Sequence, residues 1–382
     1  MSQGRVLIAG GGTGGHVFPT LATAAALREL APAVGVEFVG TERGLESRLV
    51  PAAGWTLHRV QAAPLARTVS PATLRLPGVL LGAAREVARL IRERDVRVAA
   101  VFGGYVAVPL ALAAWRTGTP LVVHEQNAIP GVANRLAARW ARTVAVSFPG
   151  AMARFRHRDV VLVGNPVRPE LAAIDRAALR DEAMASFGLD PSRRTLLVFG
   201  GSQGARRIND AVVAAAGMWT GPARLQILHA AGGAEHERVR AAWDASGVTG
   251  LLVRCEAFID RMDLAYAAAD LVLCRAGASS IAELTVLGLP AVLVPYPHAT
   301  ADHQTANALE VAAAGGAVVI ADAELDAARL VAAVEPLFAR DEVLAEMARG
   351  ARSFGRPEAA RELAELILSA IAPDRLDPGA RS

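Results

Sequence analysis

The sequence predicts an α/β fold built as two doubly wound parallel-sheet domains facing each other across a cleft. Three observations carry this reading. Short runs rich in Val, Leu and Ile alternate along the chain with longer Ala/Leu/Arg/Glu segments, the pattern of successive βαβ units. Several of these runs are continuously apolar rather than alternating, as in strands buried on both faces of a parallel sheet. Finally, both halves open with a strand, a glycine-rich turn and a helix start, first at Arg5–Gly15 and again at Thr195–Ala205.

In the first half, strands are expected at Arg5–Gly10, Val36–Gly40, Val96–Gly103, Leu121–Glu125, Thr143–Ser147 and Val160–Gly164. In the second they are expected at Thr195–Gly200, Leu225–Ala230, Gly250–Ala257, Asp270–Cys274, Ala291–Pro295 and Ala317–Ile320. Between them, Gly164-Asn-Pro-Val-Arg-Pro-Glu gives way to a charged helical stretch and the turn Asp190-Pro-Ser-Arg-Arg. This sets one domain over 1–164 and another over 165–356. A last helix, Pro357–Ile371, starts with proline in its first turn and carries Leu363, Leu366, Ile367 and Ile371 on one stripe.

Length and composition are consistent with two cores. A chain of 382 residues with 53% hydrophobic and 20% charged residues is no disordered chain. All 40 basic residues are arginine and the net charge is +3. A GC-rich coding bias explains most of that, and an affinity for phosphate or an anionic membrane is the other reading. No nucleic-acid partner is implied. Cys255 and Cys274 sit in apolar runs without a ligand or C-x-x-C pattern, which fits a reducing compartment and gives no metal site. The N-terminus does not read as a signal peptide. The longest apolar run, Tyr105–Trp115, falls short of the roughly 20 residues of a membrane helix and contains Pro109. The expectation is a cytoplasmic protein.

Chemistry concentrates where strands end. Gly10, Gly12 and Gly15 satisfy G-x-G-x-x-G, a weak signal alone. A dinucleotide site would want an acid closing the second strand, which ends Phe38-Val-Gly-Thr41 with Glu42 just beyond. What remains is a backbone cradle at a helix N-terminus, suited to a polar or anionic group, with His16 at its mouth. His16 is either a capping or packing residue or a base for a hydroxyl held there. In Gly200-Gly-Ser-Gln-Gly-Ala, Ser202 stands at a second such turn and suits phosphate. In Cys274–Leu284, Glu283 either completes a capping box with Ser280 or binds ribose hydroxyls. Polar clusters also close apolar runs at His124–Asn127, Gly164–Arg168 and Pro295–Asn307, and no D-x-D is present to hold a metal at a diphosphate.

Taken together, GGTGGHVFP, FGGYVAVP, HEQN, GNPVR, GGSQGA, FID-x-M, AGA…E and the DHQ…NA loop resemble the MurG family of glycosyltransferases, family 28, over Arg5 to about Asn307. The resemblance implies an enzyme of GT-B fold with two Rossmann-like domains, the closing helix 357–372 joining the first. It implies inverting transfer of N-acetylglucosamine from UDP-GlcNAc to the C4 hydroxyl of the muramyl sugar of lipid I, giving lipid II and UDP in peptidoglycan synthesis. No cofactor or metal is implied. Cell-wall synthesis proteins are implied as partners, and so is a peripheral place on the inner face of the membrane. By the same resemblance Thr13, Gly14 and Gly15 face the donor sugar and reacting centre, and His16 is the base, with His124 and Glu125 as rivals. Asn127 bonds the GlcNAc; Arg168 and Ser202 hold the pyrophosphate; Ile259 meets uracil through its backbone. Ala278, Ser279 and Ser280 line the phosphate side, Glu283 binds ribose, and His303 or Gln304 orients sugar hydroxyls. This sequence reads Ala278-Ser-Ser-Ile-Ala282 where relatives often carry a threonine, which puts side-chain contacts there in doubt.

A lipid acceptor would require membrane contact. Leu74, Leu76, Val79, Leu80 and Leu81, among Arg67, Arg75, Arg85, Arg89, Arg92 and Arg94, form a basic–apolar patch suited to an anionic surface. A buried helix with a solvated arginine face is the competing reading. For the whole chain the rivals are another GT-B glycosyltransferase, a UDP-GlcNAc 2-epimerase, an NAD-dependent oxidoreductase and a non-catalytic nucleotide-sugar-binding subunit.

Overall fold

The computed structural model of this chain describes residues 4–42, 44–61, 71–201, 204–221 and 224–371, with side chains left out at 71–77. The chain divides into two compact units, 1–169 together with 356–382, and 170–355. The two crossings fall five residues after the expected 164/165 and one before the expected 356/357.

Unit 1 carries a seven-stranded sheet: β1 (Arg5–Ala9), β2 (Gly35–Gly40), β3 (Thr56–Arg59), β4 (Val96–Val101), β5 (Leu121–Glu125), β6 (Thr143–Val146) and β7 (Val160–Leu162). Its order is β3-β2-β1-β4-β5-β6-β7, and every pairing is parallel. Strand side chains alternate between faces, so a continuously apolar strand feeds two cores. Leu7 and Ala9 of β1, with Ala99 and Val101 of β4, pack under the helices Pro71–Glu93 and Ala107–Thr117. Val6 and Ile8, with Val98 and Ala100, pack on the other face against Leu27 of the helix Gly14–Leu30 and against Leu363, Ala364 and Ile367 of the helix Ala359–Ser369. The expected stripe is therefore what seats the closing helix on this sheet.

Unit 2 repeats the design with six parallel strands: β8 (Arg194–Phe199), β9 (Leu225–Ala230), β10 (Leu252–Glu256), β11 (Leu271–Cys274), β12 (Ala291–Leu293) and β13 (Ala317–Val319). Their order is β10-β9-β8-β11-β12-β13. In each sheet the strand order reverses direction beside the first strand, between β1 and β4 and between β8 and β11. Such a switch point opens a crevice at the strands' carboxyl ends.

The twelve expected strands are present, with ends within two residues of those read from the sequence. The sequence reading missed β3, a four-residue edge strand, Thr-Leu-His-Arg, with no buried residue to mark it. Behind it, Glu37 of β2 accepts from Arg94 at 2.7 Å and pairs with Arg5 at 2.9 Å and His58 at 2.7 Å. Burial pushes the Glu37 carboxyl up, but the Arg94 and His58 hydrogen bonds and charges outweigh it and hold the group below its ordinary range. Arg94 is thus tied to the sheet and does not belong to the basic patch. Among the described residues no helix is long and apolar enough to cross a membrane.

Candidate active-site residues

The opening turn of unit 1 is assembled around a carboxylate that the sequence reading passed over. Glu46, buried, accepts from the Gly12 N–H at 2.8 Å and from the Thr41 N–H and hydroxyl at 3.1 and 2.8 Å. A Cβ on Gly11 would stand 2.5 Å from that carboxylate, and one on Gly104 would stand 2.4 Å from the Gly11 carbonyl oxygen. Gly11 and Gly104 are needed for this close approach, and of the motif glycines Gly12 contributes its N–H to Glu46. Thr13 caps the helix Gly14–Leu30 in extended conformation without using its side chain. The first N–H groups of the helix have no partner within it, which keeps the anion-cradle reading of Thr13, Gly14 and Gly15.

His16 is the third residue of this helix, not its cap. Its Nδ1 lies 3.3 Å from the Thr13 hydroxyl, and its Nε2 would be 2.9 Å from a Cβ on Gly103. Gly103, at φ +100°, belongs to the Phe102-Gly-Gly-Tyr turn after β4. The imidazole thus rests on bare backbone, half-exposed at the turn's mouth. Further along the helix, Phe18 carries the Arg168 guanidinium 5.4 Å from its ring centroid, a cation–π placement. A hollow of about 1180 Å³ opens beside this turn, lined among the described residues by Gly12, Thr13, Arg59, Val79, Glu86 and Tyr105 among others.

The two rival bases are buried and hydrogen-bonded within unit 1. His124 is 1% exposed. Its Nε2–H donates to the Gly164 carbonyl at 2.9 Å and its Nδ1 accepts from Gln126 at 3.0 Å. Burial pushes its pKa down to about 4. Glu125, also 1% exposed, accepts four N–H groups: Asn127 N and Nδ2 at 3.0 and 3.3 Å, Gly131 N at 3.0 Å and Asn134 Nδ2 at 2.9 Å. Burial raises the Glu125 carboxyl while those donors pull it back. Both residues hold the turn after β5 in place. Asn134 also donates to the His124 carbonyl at 3.0 Å and approaches the Gly103 position, so it links this turn to the seat of His16. No motif marks Asn134 in the sequence. Asn127 is half-buried, its amide shared with Glu125.

In unit 2 the expected residues follow β8, β10, β11 and β12 along the chain. Ser202 lies outside the described residues. On either side of it, a Cβ on Gly200 would be 2.2 Å from the Ala205 N, and the helix Arg206–Ala214 follows. Ile259 is buried after β10 beside an exposed Phe258. After β11 the helix Ala278–Leu287 is capped by Gly277, with no side-chain cap. Ser280 is therefore not a cap and the capping-box reading of Glu283 fails. Glu283 sits in the second turn and accepts from the buried Tyr266 hydroxyl at 2.7 Å. The Ser279 hydroxyl is buried without a hydrogen-bond partner among the described residues. After β12, Gln304 accepts from the Tyr296 N–H at 2.9 Å, whereas His303 Nδ1–H turns back to the Thr300 carbonyl at 2.8 Å. Of this pair, Gln304 is the one that shapes the loop. Asn307, which closes the Pro295–Asn307 cluster, donates to the Ala276 carbonyl at 3.3 Å and ties that loop's helix to the turn before Ala278.

Residues 6–146 match the glycosyltransferase family 28 N-terminal domain, and residues 195–363 match its C-terminal domain. The UDP-N-acetylglucosamine--N-acetylmuramyl-(pentapeptide) pyrophosphoryl-undecaprenol N-acetylglucosamine transferase of Acidothermus cellulolyticus is 48% identical, over 97% of this chain and 99% of its own. The enzyme of that name from Streptomyces coelicolor is 46% identical over 96% and 98%. The crystal structure of Acinetobacter baumannii MurG superposes with a TM-score of 0.79 at 31% identity, over 96% of this chain and 99% of that one. The chain belongs to the MurG family. Its two parallel-sheet units are thus the paired α/β domains of the GT-B fold. Membership in the MurG family makes the chain a glycosyltransferase, which sets aside the oxidoreductase and epimerase readings. The segments argued above fall inside the matched ranges, apart from Gly164–Arg168 between them.

Proposed function

We propose that this chain transfers N-acetylglucosamine from UDP-GlcNAc to the muramyl C4 hydroxyl of undecaprenyl-pyrophosphoryl-MurNAc-pentapeptide, releasing UDP, with inversion at the anomeric carbon. The observation that carries the chemistry is His16, half-exposed on a glycine-walled turn at a helix N-terminus, while both rival bases are buried and fully engaged. His16 takes the proton of the acceptor hydroxyl; the oxygen bonds to C1; the C1–oxygen bond to the diphosphate breaks, and UDP leaves with the electron pair. One displacement of this kind inverts the centre. Negative charge grows on the leaving diphosphate, and helix N-termini together with a guanidinium stabilise such charge. In this reading Arg168 and Ser202 meet the diphosphate beside Ala278, Ser279 and Ser280, without a metal. Ile259 meets the uracil, Glu283 the ribose, and Asn127 and Gln304 the sugar hydroxyls.

The acceptor is taken by unit 1, in the hollow beside Thr13. Val79, which lines that hollow, is 37% exposed, and Leu81 is 43% exposed on the same helix. Arg85, Arg89 and Arg92 are exposed on the following turns. We assign this face to an anionic membrane surface, on the cytoplasmic side where the nucleotide donor is found. Arg67, and the side chains of Leu74, Arg75 and Leu76, lie outside what the structure describes.

The deciding experiment measures UDP release from UDP-GlcNAc with a lipid I analogue. In His16→Ala it should fall by roughly 10²–10⁴-fold, the worth of a general base, with UDP binding unchanged. Release that survives the change moves the base elsewhere, and no release from the unaltered chain with this acceptor sinks the acceptor assignment.

A further inference from the structure

Unit 2 contains a buried polar chain that the proposed chemistry does not use. Trp243 Nε1–H donates to His229 Nδ1 at 3.1 Å. His229 Nε2 lies 3.0 Å from Asn209 Oδ1, and Asn209 Nδ2 donates to the Ala231 carbonyl at 3.0 Å. An indole can only donate, so His229 Nδ1 must accept and its proton must lie on Nε2. That proton turns the Asn209 amide with its oxygen toward the ring and its NH₂ toward Ala231. Each polarity fixes the next, from the helix His236–Ala245 through β9 to the helix Arg206–Ala214. His229 and Asn209 are fully buried, and burial lowers the His229 pKa to about 4, so the chain keeps this polarity at neutral pH.

The chain ends against the phosphate turn. The Ala231 carbonyl oxygen, held by Asn209, stands 2.4 Å from where a Cβ on Gly204 would be, and Gly204 is at φ +74°. Gly204 in turn donates its N–H to the Gly201 carbonyl at 2.9 Å. Asn209 sits in the first turns of the helix that this loop opens, with its own N–H bonded to the Ala205 carbonyl at 2.9 Å. Asn209 therefore holds the wall behind Gly204 with its side chain and the start of the helix with its backbone N–H.

We propose that Asn209, oriented by His229 and Trp243, is a positioning residue that holds Gly204 and the start of the helix Arg206–Ala214 in place for the donor's diphosphate. This rests on the reading that the turn receives the donor's diphosphate. The test compares UDP with uridine, which lacks the diphosphate, by titration calorimetry or ligand-observed NMR on the full chain. The unaltered chain should bind UDP far more tightly than uridine; equal binding defeats the underlying reading, and this proposal with it. In Asn209→Ala, UDP should weaken about tenfold, as for loss of one buried hydrogen bond, while uridine stays within about twofold. Equal weakening of both ligands, or no change in either, overturns the positioning role. Should Asn209→Ala fail to fold, Trp243→Phe keeps the ring packing and removes only the first donor. There a UDP-selective loss of about two- to threefold supports the proposal, and an unchanged ratio of UDP to uridine affinity overturns it.

Discussion

At Gly103 a missing side chain is what lets a histidine stand at the mouth of the opening turn. A methyl group there would press on His16 Nε2 at 2.9 Å, and the backbone at φ +100° resists any L side chain. Gly103→Ala should therefore displace the imidazole. We expect kcat to fall by about 10–100-fold, since displacements near 1 Å carry costs of that order. UDP affinity, proposed to rest on Arg168 and on residues of unit 2, should not change, and an unaltered kcat would mean the ring is not seated by this glycine. The histidine itself was legible in the sequence, because a titratable residue directly after a G-x-G-x-x-G turn is conspicuous. Glu46 and Asn134 were not, because what makes them important is a partner distant in sequence: Gly12 lies 34 positions from Glu46. His124 and Glu125 were found, but their burial was not legible. Their place at a strand end suggested exposure, whereas β5 is covered along its whole length.

Among the elements, the helix Pro71–Glu93 shows how one amphipathic pattern serves two purposes. Ala84, Val87, Ala88 and Ile91 face the sheet, while Leu81 and Arg85 face out. Leu81→Glu combined with Arg85→Glu should weaken binding to anionic vesicles more than tenfold, from one lost apolar burial and a reversal of charge. Turnover of a short-chain soluble acceptor should remain near its original rate. Sedimentation with vesicles checks the first and UDP release the second; vesicle binding that survives would place the membrane face elsewhere. The sequence supported both the buried and the membrane reading of this helix, because periodicity reports which face is apolar and not what covers it. The same limit hid β3, whose residues are too exposed to look like a strand, and suggested a capping box at Ser280. Helix caps depend on backbone dihedrals, and Gly277 at ψ 141° takes that position two residues before Ser279.

Across the molecule, two buried histidines, His124 in unit 1 and His229 in unit 2, link stability to acid. Desolvation lowers each from about 6.5 to about 4, so the folded chain keeps them neutral while the unfolded chain takes up protons. Their full contribution is present above pH 6.5 and is lost as pH falls from there toward 4. Glu125 works the other way, because a raised carboxyl binds its proton more readily when folded. Its four donors offset part of that burial, whereas His229 has no such offset. The thermal midpoint should therefore drop between pH 7 and pH 5, and a midpoint that holds or rises would show the histidines to be better solvated than this packing implies. At this scale the sequence was most informative: continuous apolar strands set the fold class, and two glycine turns set the domain count. The path of the chain through the two units has a bearing on synthesis. The helix Ala359–Ser369 completes the core beneath Val6 and Ile8, yet it is translated after all of unit 2. On the ribosome, the half that begins first is thus the half that finishes last. A nascent chain stalled near residue 355 would carry a unit 2 with all its own strands and a unit 1 whose sheet is covered on one face only in part, by the helix Gly14–Leu30, leaving apolar surface where a chaperone could bind.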